Sequence, residues 1–142
     1  MASIAVDIMT PERLVLQTEA ESVIVPAAEG ELGILPHHAP LLAQLQTGEI
    51  RLQSGGNIEP FAVSGGFVEV ENNRVAIFAE TAEMAHEIDV ERARLAAERA
   101  KAQINVARTD IDLAEAEAAL LRALARLRAT ETFRHGQKPI YR

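Results

Sequence analysis

Apolar and polar positions alternate through the first 87 residues and then change period. Ile4, Val6 and Ile8 alternate with their neighbours before Pro11. Glu49-Ile50-Arg51-Leu52-Gln53 alternates again before Gly55-Gly56-Asn57. Val68-Glu69-Val70-Glu71 runs into Asn72-Asn73, and Val75, Ile77 and Ala79 carry the pattern onward. A period of two buries one face of each strand and wets the other. Short strands punctuated by turn residues predict an antiparallel β-sandwich, in which two apolar faces cover each other.

From Asp89 the period becomes helical. Val90 to Ala107 holds no Gly or Pro, and Ala93, Ala96, Ala97, Ala100, Ile104 and Ala107 fall on one face. Asp89 is a suitable N-cap, with Glu91 in the first turn. The spacing Thr109-x-x-Asp112 resembles a capping box and starts a second helix through Leu113, Leu120, Leu124 and Leu127. Its acids come first and its bases (Arg122, Arg126, Arg128) last, in accord with the helix dipole. The fold expected is therefore α+β in chain order: a sandwich over 1–87 and an antiparallel two-helix hairpin over 88–128. Gly136 and Pro139 predict a loose tail over 129–142.

Charge separates the same two parts. Residues 1–87 carry three Arg against thirteen Asp and Glu, a net of −10; residues 88–142 carry eleven Lys and Arg against eight acids, a net of +3. The basic part has one aromatic pair, Phe133 and Tyr141, but no stacking platform or RNA-binding signature, which argues against nucleic acid. With no cysteine, disulfides and thiolate metal sites are excluded. No apolar run approaches the ~20 residues of a membrane-spanning helix, and the first residues do not read as a signal peptide, so the chain is expected to be cytoplasmic without direct membrane insertion.

Catalytic patterns are missing. There is neither a phosphate loop nor G-x-G-x-x-G. Ser64 lacks the surroundings of a nucleophile elbow. His37-His38 has too few companions for a metal centre. The expectation is a chain that is not an enzyme and has no metal.

Three hairpin arginines lack an acid three or four residues away: Arg99, Arg122 and Arg126. Arg122 and Arg126 are themselves a like-charge i,i+4 pair, which is unfavourable in an isolated helix. Arg94 has Glu91 and Glu98, Lys101 has Glu98, Arg108 has Asp112 and Arg128 has Glu131. An acid from elsewhere or a bound anion is implied for the other three.

Two segments are more specific than ordinary turns: Gly30-Glu31-Leu32-Gly33-Ile34-Leu35-Pro36-His37-His38-Ala39-Pro40-Leu41-Leu42 and Val63-Ser64-Gly65-Gly66-Phe67-Val68-Glu69-Val70. With the Ala-rich hairpin after them, they resemble the epsilon subunit family of F-type ATP synthases. The resemblance covers the chain to about Arg128. It implies a non-catalytic regulatory and coupling subunit of the rotary proton-translocating enzyme, in the central stalk at the cytoplasmic side of the bacterial inner membrane. It implies as partners the gamma subunit, the c ring and, when the hairpin extends, the alpha/beta catalytic head, where the hairpin blocks ATP hydrolysis. Arg122, Arg126 and Arg128 are the expected inhibitory contacts.

Ile88-Asp89-Val90-Glu91-Arg92-Ala93 further resembles the Ile/Leu-Asp-x-x-Arg-Ala motif with which some bacterial members bind ATP. The resemblance extends the ATP-binding set to Glu83, Ile88, Asp89, Arg92, Ala93, Arg99, Arg122 and Arg126, with ATP as a regulatory ligand rather than a cofactor. Two alternatives stay open: Asp89 only caps its helix while the arginines meet protein acids, or the chain is a free-standing nucleotide sensor. A small β-sandwich enzyme is the remaining reading from another class.

Overall fold

A computed structural model describes residues 2–136 of the 142. Eight strands come first: β1 (Ile4–Met9), β2 (Leu14–Ala20), β3 (Ser22–Ala27), β4 (Gly30–Ile34), β5 (Leu41–Gln44), β6 (Gly48–Ser54), β7 (Asn57–Glu71) and β8 (Arg74–Met84). A 3₁₀ turn (Ala85–Glu87) leads to α1 (Val90–Val106) and α2 (Asp110–Gly136). The strands form a continuous ladder, β2-β1-β8-β7-β6-β3-β4, and β5 also pairs with β7.

The long hairpin β7–β8 lets this ladder fold into two layers. Residues 57–63 of β7 pair with β6, and residues 67–70 of the same strand pair with β5. Between them lie Gly65 and Gly66, with φ of 57° and 111°. A Cβ on Gly66 would sit 1.9 Å from the carbonyl oxygen of Phe78, so only glycine lets β7 pass this close to β8. At the far end Asn72 and Asn73 both have positive φ, as a tight hairpin turn of this hand requires. Asn73 also ties the turn to its surroundings, accepting from the His37 amide at 2.7 Å and donating to the Ser3 carbonyl at 3.0 Å.

One ladder departs from the all-antiparallel expectation. β1 lies parallel to β8 while pairing antiparallel with β2. Six strands separate β1 from β8 in sequence, a connection long enough to bring two strands together in the same direction.

Both inward faces meet in one core. Ile4, Ile8, Ile34, Ile50, Phe61 and Ile77 are completely buried with the valines between them. Alternation then places Glu49, Arg51, Ala62, Ser64, Thr81 and Glu83 on the opposite, outward face of β6, β7 and β8. The hairpin lies over this face, with α2 packed on β6 and β7.

The helix starts are as the caps predict. Asp89 Oδ1 accepts from the Arg92 amide at 3.1 Å, and Thr109 Oγ1 accepts from the Asp112 amide at 3.0 Å. The hairpin's buried residues are alanines: Ala93, Ala97 and Ala100 in α1, and Ala116, Ala123, Ala125 and Ala129 in α2.

The tail expected over 129–142 needs correction in its first part. Helix α2 continues to Gly136 because Phe133 is held in a small apolar cluster with Ala62, Ala85, Ala125, Ala129 and Ile88. The His86 ring stands 6.3 Å from that of Phe133. Residues 137–142 lie outside the described residues.

Candidate functional site

At the root of the hairpin, three separate pieces of chain enclose a cavity of about 400 Å³. The end of β8 and the following turn contribute Glu83, Glu87 and Ile88; the first turns of α1 contribute Asp89, Arg92, Ala93 and Arg99; α2 contributes Arg126. Arg92 and Arg99 are seven residues apart and share a helix face. Arg126 arrives because an antiparallel hairpin brings the C-terminal half of α2 back beside the start of α1.

Seven of the eight residues singled out for ATP therefore share one cavity. The eighth, Arg122, lies one turn back on α2 and lines two neighbouring hollows. One contains Ser64, Thr81, Glu83 and Arg126; the other, of about 570 Å³, runs between α1 and α2 from Gln103 to Ala119. The four guanidiniums of that set therefore do not share one space. Three face one space, and the fourth is next to it.

Arg126 is the one hairpin arginine of the three that has found an acid. Its Nε donates to Glu83 Oε1 at 2.6 Å, joining α2 to the sandwich. Both side chains are about a third exposed, so solvent screens the pair. Arg92, Arg99 and Arg122 make no ion pair or side-chain hydrogen bond among the described residues. The cavity has three carboxylates (Glu83, Glu87, Asp89) and three guanidiniums, two of the latter unengaged. Glu87 is a lining acid that the sequence reading missed, although it directly precedes the Ile88-Asp89 motif.

Asp89 has two positions of interest at once. It caps α1 and also borders the cavity, so its capping role is real whatever else it does. Of the expected helical pairs, Arg94 does bond Glu91 and Glu98. Arg128 makes no bond to Glu131 among the described residues, and Glu131 has His135 at 3.7 Å.

A second charged group lies on the same outward face. Arg51 Nη1 donates to Glu31 Oε2 at 3.0 Å and to Glu49 Oε1 at 2.8 Å. This bond holds the Glu31 carboxyl below the usual carboxylate range, with a smaller contribution from the positive field of Arg128. Glu31 correspondingly raises Arg51.

No described helix is long and apolar enough to cross a membrane. The histidine pair serves its loop: His37 takes a positive φ, and His38 Nδ1 lies 2.7 Å from the Ala39 carbonyl.

Comparison with known proteins addresses both halves of the chain. The beta-sandwich domain of the ATP synthase delta/epsilon chain matches residues 3–85, and the long alpha-helix domain of the same chain matches residues 86–131. The ATP synthase epsilon chain of Desulforamulus reducens is 50% identical over 125 residues, covering 88% of this chain and 95% of the relative. That of Moorella thermoacetica is 52% identical over 130 residues, covering 91% and 97%. A chain in the cryo-EM structure of the Euglena gracilis mitochondrial ATP synthase, OSCP/F1/c-ring in rotational state 1, superposes with a TM-score of 0.78 at 26% identity, over 88% of this chain and 79% of that one. A sandwich followed by a folded-back hairpin, with relatives half identical over almost their entire length, settles the family: the chain belongs to the ATP synthase delta/epsilon chains, among the epsilon chains.

Proposed function

We propose that the chain is a regulatory and coupling subunit of the central stalk of a rotary proton-translocating ATP synthase, and that ATP steers its hairpin. On this reading the sandwich docks to the gamma subunit and the c ring on the cytoplasmic side of the membrane. The hairpin either lies on the sandwich or extends into the alpha/beta head, where Arg122, Arg126 and Arg128 meet acidic segments and hydrolysis stops. Membership among epsilon chains favours an assembled subunit over a free-standing sensor.

The observation that carries the nucleotide part is the cavity at the hairpin root. It exists only while three segments are together: Glu83 belongs to the sandwich, Arg92 and Arg99 to α1, and Arg126 to the returning end of α2. Two unengaged guanidiniums in a shared space suit a polyphosphate, which a site without a phosphate loop must neutralise with side chains. A ligand bound there favours the folded position by its differential affinity for the two positions. Glu83 already holds Arg126, so a phosphate must share or replace that carboxylate. Arg122, one turn back on α2, lines the adjoining hollow beside Arg126 and would have to reorient to join.

Titration calorimetry of ATP into the isolated chain tests this directly. Binding is expected for wild type, and Arg92→Ala and Arg126→Ala should each weaken it at least tenfold, since charge-assisted contacts contribute about 1.5–3 kcal/mol. No heat at millimolar ATP, or equal affinity in the variants, ends the nucleotide reading. In the assembled enzyme, removal of residues 88–142 should raise ATP hydrolysis; an unchanged rate would remove the inhibitory role.

A further inference from the structure

We infer that Glu49 works against the docking of α2 and keeps the hairpin's hold on the sandwich weak. Glu49 is a charged side chain only 2% exposed. It belongs to β6, whose Ile50 and Leu52 point into the sandwich core, so Glu49 points out of it. Its cross-strand partner on β7 is Ala62, and Ala62 is packed under Ala125 and Ala129 of α2. The second helix is what covers that face. Without it, the carboxylate would stand on an open sheet surface in water.

Only half of this carboxylate is provided for. Oε1 accepts from Arg51, whereas Oε2 is buried with no hydrogen-bond partner among the described residues. Docking α2 therefore strips water from an acceptor and gives nothing in return, which is costly. A half-satisfied buried ion pair is commonly less favourable than apolar packing of similar volume. Arg51 does not depend on Glu49, because Glu31 accepts two further bonds from it at 3.0 and 3.1 Å. Removing Glu49 thus leaves no orphaned guanidinium.

The opposing gain is small, since the apolar contact made by docking is largely alanine on alanine. A single unfavourable acceptor counts heavily in such a balance. The consequence for regulation rests on the proposed two-position hairpin: Glu49 sets how readily the helix leaves the sandwich.

The chain has no cysteine, so a thiol introduced by Ala62→Cys reports opening of the α2 interface by its rate of labelling. A second thiol, from Val63→Cys in the sandwich core, reports unfolding of the sandwich itself. In the full chain, adding Glu49→Met should slow labelling at position 62 by about 5- to 100-fold, with a smaller slowing for Glu49→Gln. Labelling at position 63 should stay unchanged. Loss of the neighbouring carboxylate charge would by itself make the thiol more reactive, so slowing cannot come from that source. Unchanged or faster labelling at 62 with Glu49→Met overturns the inference. If position 62 labels only as fast as position 63 in the parent chain, the hairpin does not open separately, and the two-position reading falls together with this one.

Discussion

The two halves of this molecule bury different things. The sandwich closes over isoleucine, valine and phenylalanine, with Ile4, Ile8, Phe61 and Ile77 completely inaccessible. The hairpin buries alanines and leaves its larger apolar side chains, such as Leu95, Val106, Ile111 and Leu121, substantially exposed. Each fully buried branched or aromatic side chain contributes about 1.5–3 kcal/mol, and an alanine methyl about 0.8. This contrast predicts a cooperative sandwich and a hairpin of lower stability resting on it. Weak adhesion is what the proposed exchange of one partner surface for another would require. The cavity with Arg92, Arg99 and Arg126 lies on the seam between the two regimes, where the proposed ligand would have most effect on the balance.

The contrast breaks most visibly at Phe61, the largest completely buried side chain. Phe61→Ala should lower the stability of the whole chain by about 3–5 kcal/mol, since it removes apolar contact and leaves a cavity. Urea unfolding followed by the protection of the β7 and β8 amides should place the sandwich transition at a lower midpoint. A loss below about 1 kcal/mol would mean that the sandwich core is not the seat of stability.

How much of this was legible in the sequence follows from the same contrast. Where one face is buried by strongly apolar residues, the period of two is plain, and β1, β6 and the β7–β8 hairpin with its Asn72-Asn73 turn are readable. Strands β2 to β5 were not individually legible. In β2 most residues are at least partly exposed, and β4 holds two glycines in five residues. The parallel pairing of β1 with β8 is a long-range choice that no local pattern encodes. In the hairpin, the caps at Asp89 and Thr109 were local and readable, but the end of α2 was misplaced. What holds it is Phe133 against Ala62 and Ala85, a tertiary contact. The same limit explains Arg126. Its missing acid could be inferred from helical spacing, whereas Glu83 as the partner required the fold.

Ala129 tests the other side of the comparison. It is completely buried in the cluster of Ala62, Ala85 and Ala125. Ala129→Leu overfills that contact, a change that commonly costs about 1–3 kcal/mol. Here the cost can be escaped by lifting α2, so amide exchange in residues 122–133 should accelerate about tenfold while the slow amides of β7 and β8 keep their rates. Equal acceleration in both would show that sandwich and hairpin unfold as one unit.

The smallest expected effect concerns Glu31, and it asks to which region a border charge belongs. Arg51 lowers its carboxyl below the usual range in the folded chain, and unfolding returns it to the ordinary carboxylate range. Its contribution is therefore fully present above the unfolded value and is lost as pH falls through the lower folded value. Glu31 is half exposed and Arg51 about a fifth, so screening keeps the contribution below about 1 kcal/mol. Urea unfolding of wild type and Glu31→Gln should differ slightly near pH 7, with wild type the more stable, and converge in strong acid. The direct bond is to Arg51, within the sandwich, and Arg128 acts only through its field. Arg128→Ala should then leave most of that pH-dependent difference in place. If Arg128→Ala abolishes it, Glu31 is held by the hairpin rather than by β6, and the border between the two regions runs through β4.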